Sequence, residues 1–185
     1  MLKLFKNQTI FWTIFFASLP TAYLNAHPGH AHSFGEADPV TISRSTHVYM
    51  QEIVPHYLKI QHDLAADQFG DAVKNSAKEI ERVATTAHEK ETSRSGKKMY
   101  KGVAQYAAEI HSSADIKTVR DTFVKLNDIL LPFFDTWTSH ISEHNMVLYT
   151  CKDTKQWWLQ VNNEKPADPY RGASAQCKEL SKKAE

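Results

Sequence analysis

Cysteine is nearly absent from this chain: Cys151 and Cys177 are the only two in 185 residues, so at most one internal disulfide can form. Glycine is scarce too, with six. None of the six falls in a GxGxxG or P-loop run, which removes the phosphate-cradling loops of nucleotide sites. Lys and Arg number 22 against 21 Asp and Glu, a formal charge of +1. Such a balance gives no basic field for bulk attraction to nucleic acid or anionic lipid. The uncharged apolar run Ile10 to Leu19 is about half the roughly 20 residues a membrane helix needs. Internal repeats and low-complexity tracts are missing. No nucleophile sits beside a base and no carboxylates are paired for acid and base work, so an enzyme is not expected.

What is present begins with the layout of a secretory signal. Lys3 and Lys6 precede the apolar run, Pro20 ends it, and small residues follow at Ala22 and Ala26. We expect residues 1–26 to be a signal peptide cleaved after Ala26, with the protein periplasmic or secreted and not held at a membrane. Cleavage removes Lys3 and Lys6 and no acid, moving the formal charge from +1 to −1. Residues 27–44 (HPGHAHSFGEADPVTISR) have no apolar periodicity through Pro39 and read as a flexible histidine-containing leader, with order beginning near Thr41.

From there the pattern is helical. Met50, Ile53, Tyr57, Ile60 and Leu64 form one face, with Pro55 marking either a helix start or a kink. A second helix is expected over Asp67–Glu91 and is broken by TSRSG; a third runs over Lys97–His111. The fourth carries Ile116, Val119, Phe123, Leu126, Leu130, Phe133 and Trp137 in unbroken three-four alternation, with Pro132 bending or interrupting its end. The β-rich runs Val147–Cys151 and Trp157–Val161 then suggest a hairpin. The expected architecture is all-α, an antiparallel four-helix bundle with a small C-terminal β-hairpin and irregular tail. It occupies residues 45–180, and 181–185 form a loose end.

The order of a helical YLKIQHDLAADQF, a later DIKTVRDTFVKLNDIL, then LYTC, WWLQ, DPYRG and a final cysteine resembles the bacterial domain-of-unknown-function 3347 family. The likeness runs over roughly Val48 to Cys177. Members are exported helical domains, alone or attached to periplasmic adaptor subunits of heavy-metal efflux pumps. The resemblance therefore implies a setting of copper or related metal handling, with an efflux-system or other periplasmic protein as partner. It implies no activity. Family members read Cys-Pro-Met at the first cysteine and carry a methionine shortly before the last. Here Lys152 and Asp153 follow Cys151, and Ala175 and Gln176 precede Cys177. Both thioethers are missing, and thioether is the ligand that favours Cu(I).

Four groups of residues are candidates for chemistry. Cys151 and Cys177 read as a disulfide closing a 26-residue loop, with a thiolate metal site as the alternative. His27, His30 and His32 place three imidazoles in six residues, a capture site for Cu(II), Zn(II) or Ni(II) or simply a polar tail. Pro28 and Gly29 exclude the usual amino-terminal Cu(II) motif, which needs an amide proton and a histidine third. His140 and His144, four apart in HISEH with Glu143 and Met146 nearby, make a mixed-ligand candidate or an ordinary helix-end pair. The glutamate lies outside the HExxH order, so a zinc protease is not indicated. Trp157, Trp158 and Tyr170 read as an aromatic partner surface or as the cap of the bundle. The leading expectation is an exported non-enzymatic protein that binds or buffers a transition metal, copper or else zinc. The rival is a protein-interaction module with incidental histidines.

Overall fold

The computed structural model describes residues 39–152, 154–173, 177 and 180–182. Residues 1–26, expected to be a signal peptide, and the histidines His27, His30 and His32 of the expected leader lie outside the described residues. Four long helices follow one another: α1 (His47–Ala65), α2 (Asp71–Lys90), α3 (Arg94–Ser112) and α4 (Ile116–Thr136). Short connections join them, and α2 packs on α1 and α3, and α3 on α4. A five-residue helix α5 (Ser139–Glu143) leads into β1 (Met146–Cys151), β2 (Gln156–Val161) and β3 (Leu180–Lys182). The four-helix bundle and the antiparallel hairpin are as the periodicities predict.

Local chemistry accounts for the boundaries. Pro55 neither starts nor ends α1, which runs through it. The second helix begins at Asp71 rather than Asp67 because Asp67 takes φ 58, a left-handed turn conformation. The third begins at Arg94, inside TSRSG, because Ser93 caps it by accepting from the Gly96 amide. Asp115 does the same for α4 through the Thr118 amide. Residues 40–44, expected in the leader, belong to the fold. The Val40 amide donates to Thr136 Oγ1 at 3.2 Å, and the Trp137 indole N–H donates to the Val40 carbonyl at 2.9 Å.

The sheet order is β2-β1-β3, with Leu148 opposite Leu159 and Cys151 opposite Leu180. Ser181 and Lys182, expected in a loose end, are therefore in a strand. Its brevity hides it from periodicity. All six residues of β1 are buried, because the sheet is covered on both faces. Met146 and Leu148 join the bundle core, whereas Val147, Tyr149 and Cys151 pack with Trp158, Tyr170 and Cys177. Cys151 and Cys177 are joined as a disulfide, with Cα atoms 5.7 Å apart.

A hydrogen-bonded relay locks β2 against α1 and α4. The Tyr57 hydroxyl donates to Asn127 Oδ1 at 2.7 Å and accepts from the Leu159 amide at 3.1 Å. Asn127 Nδ2 donates to the Phe123 carbonyl and to the Tyr170 hydroxyl, which in turn donates to the Trp157 carbonyl. Every polar atom in this apolar setting has a partner, which is the condition for burying it cheaply. Burial pushes both phenols well above their ordinary pKa, so they remain donors.

DPYRG supplies the last anchor. Asp168, fully buried, accepts from the Tyr170 amide, and Arg120 donates to the Pro169 and Leu64 carbonyls and to Asp67. Gly172 sits at φ 72, where a Cβ would overlap the Asp67 carboxylate and the Arg120 guanidinium. Gly172→Ala is expected to destabilise the fold by about 1–3 kcal/mol. Gly70→Ala, with nothing within 4 Å, should stay within about 0.5 kcal/mol. Urea denaturation of the two variants checks the contrast; equal effects would refute the close-approach argument.

Candidate metal centre

His47 is the first residue of α1, and the residue before it is clamped. Thr46 is fully buried; its hydroxyl donates to Glu91, and its carbonyl accepts from the Tyr100 hydroxyl at 3.0 Å. The Glu91 carboxylate also accepts from the amides of Ser43, Thr92 and Ser93. Burial alone would raise its pKa, but these donors, led by Thr46, outweigh it and hold the carboxyl below its usual range. The start of α1 is thereby fastened to the α2–α3 corner.

His140 arrives from α5, at the opposite end of the sequence. Its ring stacks on Phe133, with centroids 5.2 Å apart and planes 9° from parallel. Nδ1 is 2.7 Å from Glu143 Oε2, and this bond is the main reason the Glu143 carboxyl lies below its ordinary pKa. An ionised carboxylate accepts, so Nδ1 is the donor to Glu143 and Nε2 is the nitrogen left for a metal. That Nε2 lies 3.2 Å from Nε2 of His47, which is also 3.3 Å from His140 Nδ1. Two nitrogens held at roughly 2.0–2.1 Å by one tetrahedral zinc are about 3.3 Å apart, so the spacing is that of two ligands on one ion. Candidate ligand atoms of His47, His140 and Glu143 all lie within 4.8 Å of one another. Burial, then the neighbouring His140 ring, lowers the His47 pKa against the opposing pull of Glu143. A groove of about 440 Å³, lined by Arg44, Val48, Phe133 and Trp137 among others, opens beside the two rings.

The other expected site residues fall elsewhere. Among the described residues His144 is outside the cluster: it is the C-cap of α5, its amide donating to the His140 carbonyl at 3.3 Å, but its ring is not among the converging ligand atoms. Met146 is 2% exposed in the core: β1 starts there and strand alternation turns it inward, so it is a packing residue and not a ligand. Trp158 is fully buried and Trp157 half-buried. These rings and Tyr170 act mainly as the cap over the hairpin. His47 is the residue that sequence reasoning missed. Its signal was its place three before Met50 and seven before Val54, a polar side chain on an otherwise apolar stripe.

Residues 53–141 match the model of a family described as a protein of unknown function, DUF3347. The bundle of this chain belongs to that family. No curated protein and no solved structure matches the chain. The DUF3347 match includes His140, begins after His47 and ends before Glu143 and the hairpin. Two of the three cluster residues thus lie outside the matched stretch. The donor set of the cluster is two imidazoles and a carboxylate, without sulfur. Such ligands suit Zn(II), Cu(II) or Ni(II) and do not select Cu(I).

Proposed function

We propose that this protein binds a divalent transition-metal ion, Cu(II) or Zn(II), through His47, His140 and Glu143. The observation that carries the reading is the 3.2 Å approach of two imidazole Nε2 atoms, one of them oriented by a carboxylate. Glu143, with its side chain 53% exposed, leaves the site open at its rim, which suits exchangeable binding more than a closed structural ion. The protein is taken to be exported and non-catalytic, acting alone or beside a metal efflux system. Its basic start, the short apolar run after it and the family resemblance support this, and a disulfide suits an oxidising compartment.

Equilibrium dialysis of the purified chain against Cu(II) and Zn(II) tests the site. His47→Ala or His140→Ala should weaken one binding equivalent by more than about 10- to 100-fold, the usual effect of losing even an outer partner of a ligand. His144→Ala and Met146→Leu should leave that equivalent in place. Removing His27 to His32 separates any binding by the leader from binding by the cluster. Unchanged stoichiometry and affinity in the His47→Ala/His140→Ala double variant would sink the proposal.

A further inference from the structure

A second cleft, of about 450 Å³, lies between α4 and the hairpin turn, with Leu131, Pro132 and Trp157 as its apolar wall. Its volume is in the range of small-ligand sites, about 300–1,000 Å³. Asn127 and Tyr170 also line it, but their polar atoms are committed to the buried relay and make a rigid floor. Among the described residues four polar side chains of the lining remain uncommitted: neutral Gln156 and three that carry the argument. Asp128 on α4 and Lys155 on the turn are exposed and form no hydrogen bond or ion pair among the described residues. Thr154 Oγ1 is buried at the turn end with no hydrogen-bond partner among the described residues, a condition native proteins rarely leave unanswered. The Lys155 backbone is fixed in the turn, at φ 58 with its amide donating to the Cys151 carbonyl at 2.6 Å.

The charges decide the class of ligand. A simple cation drawn to Asp128 meets Lys155, and a simple anion drawn to Lys155 meets Asp128. A neutral apolar molecule would desolvate both charges without compensation. We propose that this cleft binds a small zwitterion of the amino-acid type. Its ammonium pairs with Asp128, its carboxylate with Lys155 and the Thr154 hydroxyl, and its apolar body lies against Trp157 and Leu131. Charge-assisted hydrogen bonds at both ends supply the selectivity.

The test is an NMR titration that follows the Trp157 indole signal, identified by its loss in Trp157→Phe. The probes are leucine, isoamylamine, which is leucine without its carboxylate, and isocaproate, which is leucine without its ammonium. Leucine should saturate the signal, with each one-charge analogue at least about tenfold weaker. Asp128→Asn should weaken leucine and isoamylamine but not isocaproate; Lys155→Met should weaken leucine and isocaproate but not isoamylamine. Both side chains are exposed, so both variants should fold, which unfolding midpoints check. The inference is overturned if leucine, phenylalanine and valine all fail to saturate by about 10 mM. It is equally overturned if either analogue matches leucine, or if Asp128→Asn leaves leucine binding unchanged.

Discussion

Glu91→Ala should lower the unfolding free energy by about 3–5 kcal/mol, seen as a fall in the urea midpoint at unchanged slope. Glu91 is 1% exposed, and its carboxylate accepts from three backbone amides and the Thr46 hydroxyl. Alanine strands all four donors at a corner where α2 ends, α3 begins and the chain enters α1. Each buried donor left unsatisfied costs about 1–3 kcal/mol, with some relief where water can enter. Glu91→Gln keeps one oxygen for the amides of Ser43, Thr92 and Ser93, and its amide can donate to Thr46, so it should cost only about 1 kcal/mol. The acid dependence has a definite sign. The folded carboxyl titrates below its ordinary value, so its contribution is present above the unfolded pKa of about 4.3 and lost as pH falls through the folded pKa. The gap between native and Glu91→Gln proteins should therefore close in acid. A gap that held constant from neutral pH to acid would refute the role of the charge.

The second large effect concerns the disulfide. The Cys151→Ala/Cys177→Ala protein should be less stable by about 3.5 kcal/mol, the chain-entropy value for a loop of this length, the two cysteines being 26 residues apart. Alanine is the proper replacement because Cys151 is fully buried against Trp158 and Tyr149, where serine would add an unpaired hydroxyl. The crosslink acts beside a short strand: β3 has three residues, and it pairs with β1. Denaturant unfolding of the native and double-variant proteins measures it. A loss below about 1 kcal/mol would show that β3 and the tail are held by their own contacts.

The helices were legible because each buries one stripe. Met50, Ile53, Tyr57, Ile60 and Leu64 recur at the helical period, and all are buried. The hairpin was legible from two β-rich runs, and the disulfide from a lone cysteine pair. What stayed hidden has a common cause: polar residues whose partners lie far away in sequence. Glu91 at a helix end reads as a solvated charge, and only the fold brings Ser43 and Thr46 to it. His47 and His140 are 93 residues apart, so no local spacing announces them. Met146 erred in the other direction. It stands next to histidines in sequence, and a change from helix to strand takes it into the core.

The place of β1 in the sheet has a further consequence. MVLYTC carries no charged side chain in its six residues, and it is the middle strand of three. With β2 on one side and β3 on the other, its backbone has no free edge along Tyr149 to Cys151. A short, apolar, uncharged strand of this kind is the sort of segment that recruits identical strands from other molecules once an edge is open. The three residues of β3, tethered through Cys177, thus guard against self-association: where the tail detaches, the sticky edge of β1 is what it uncovers.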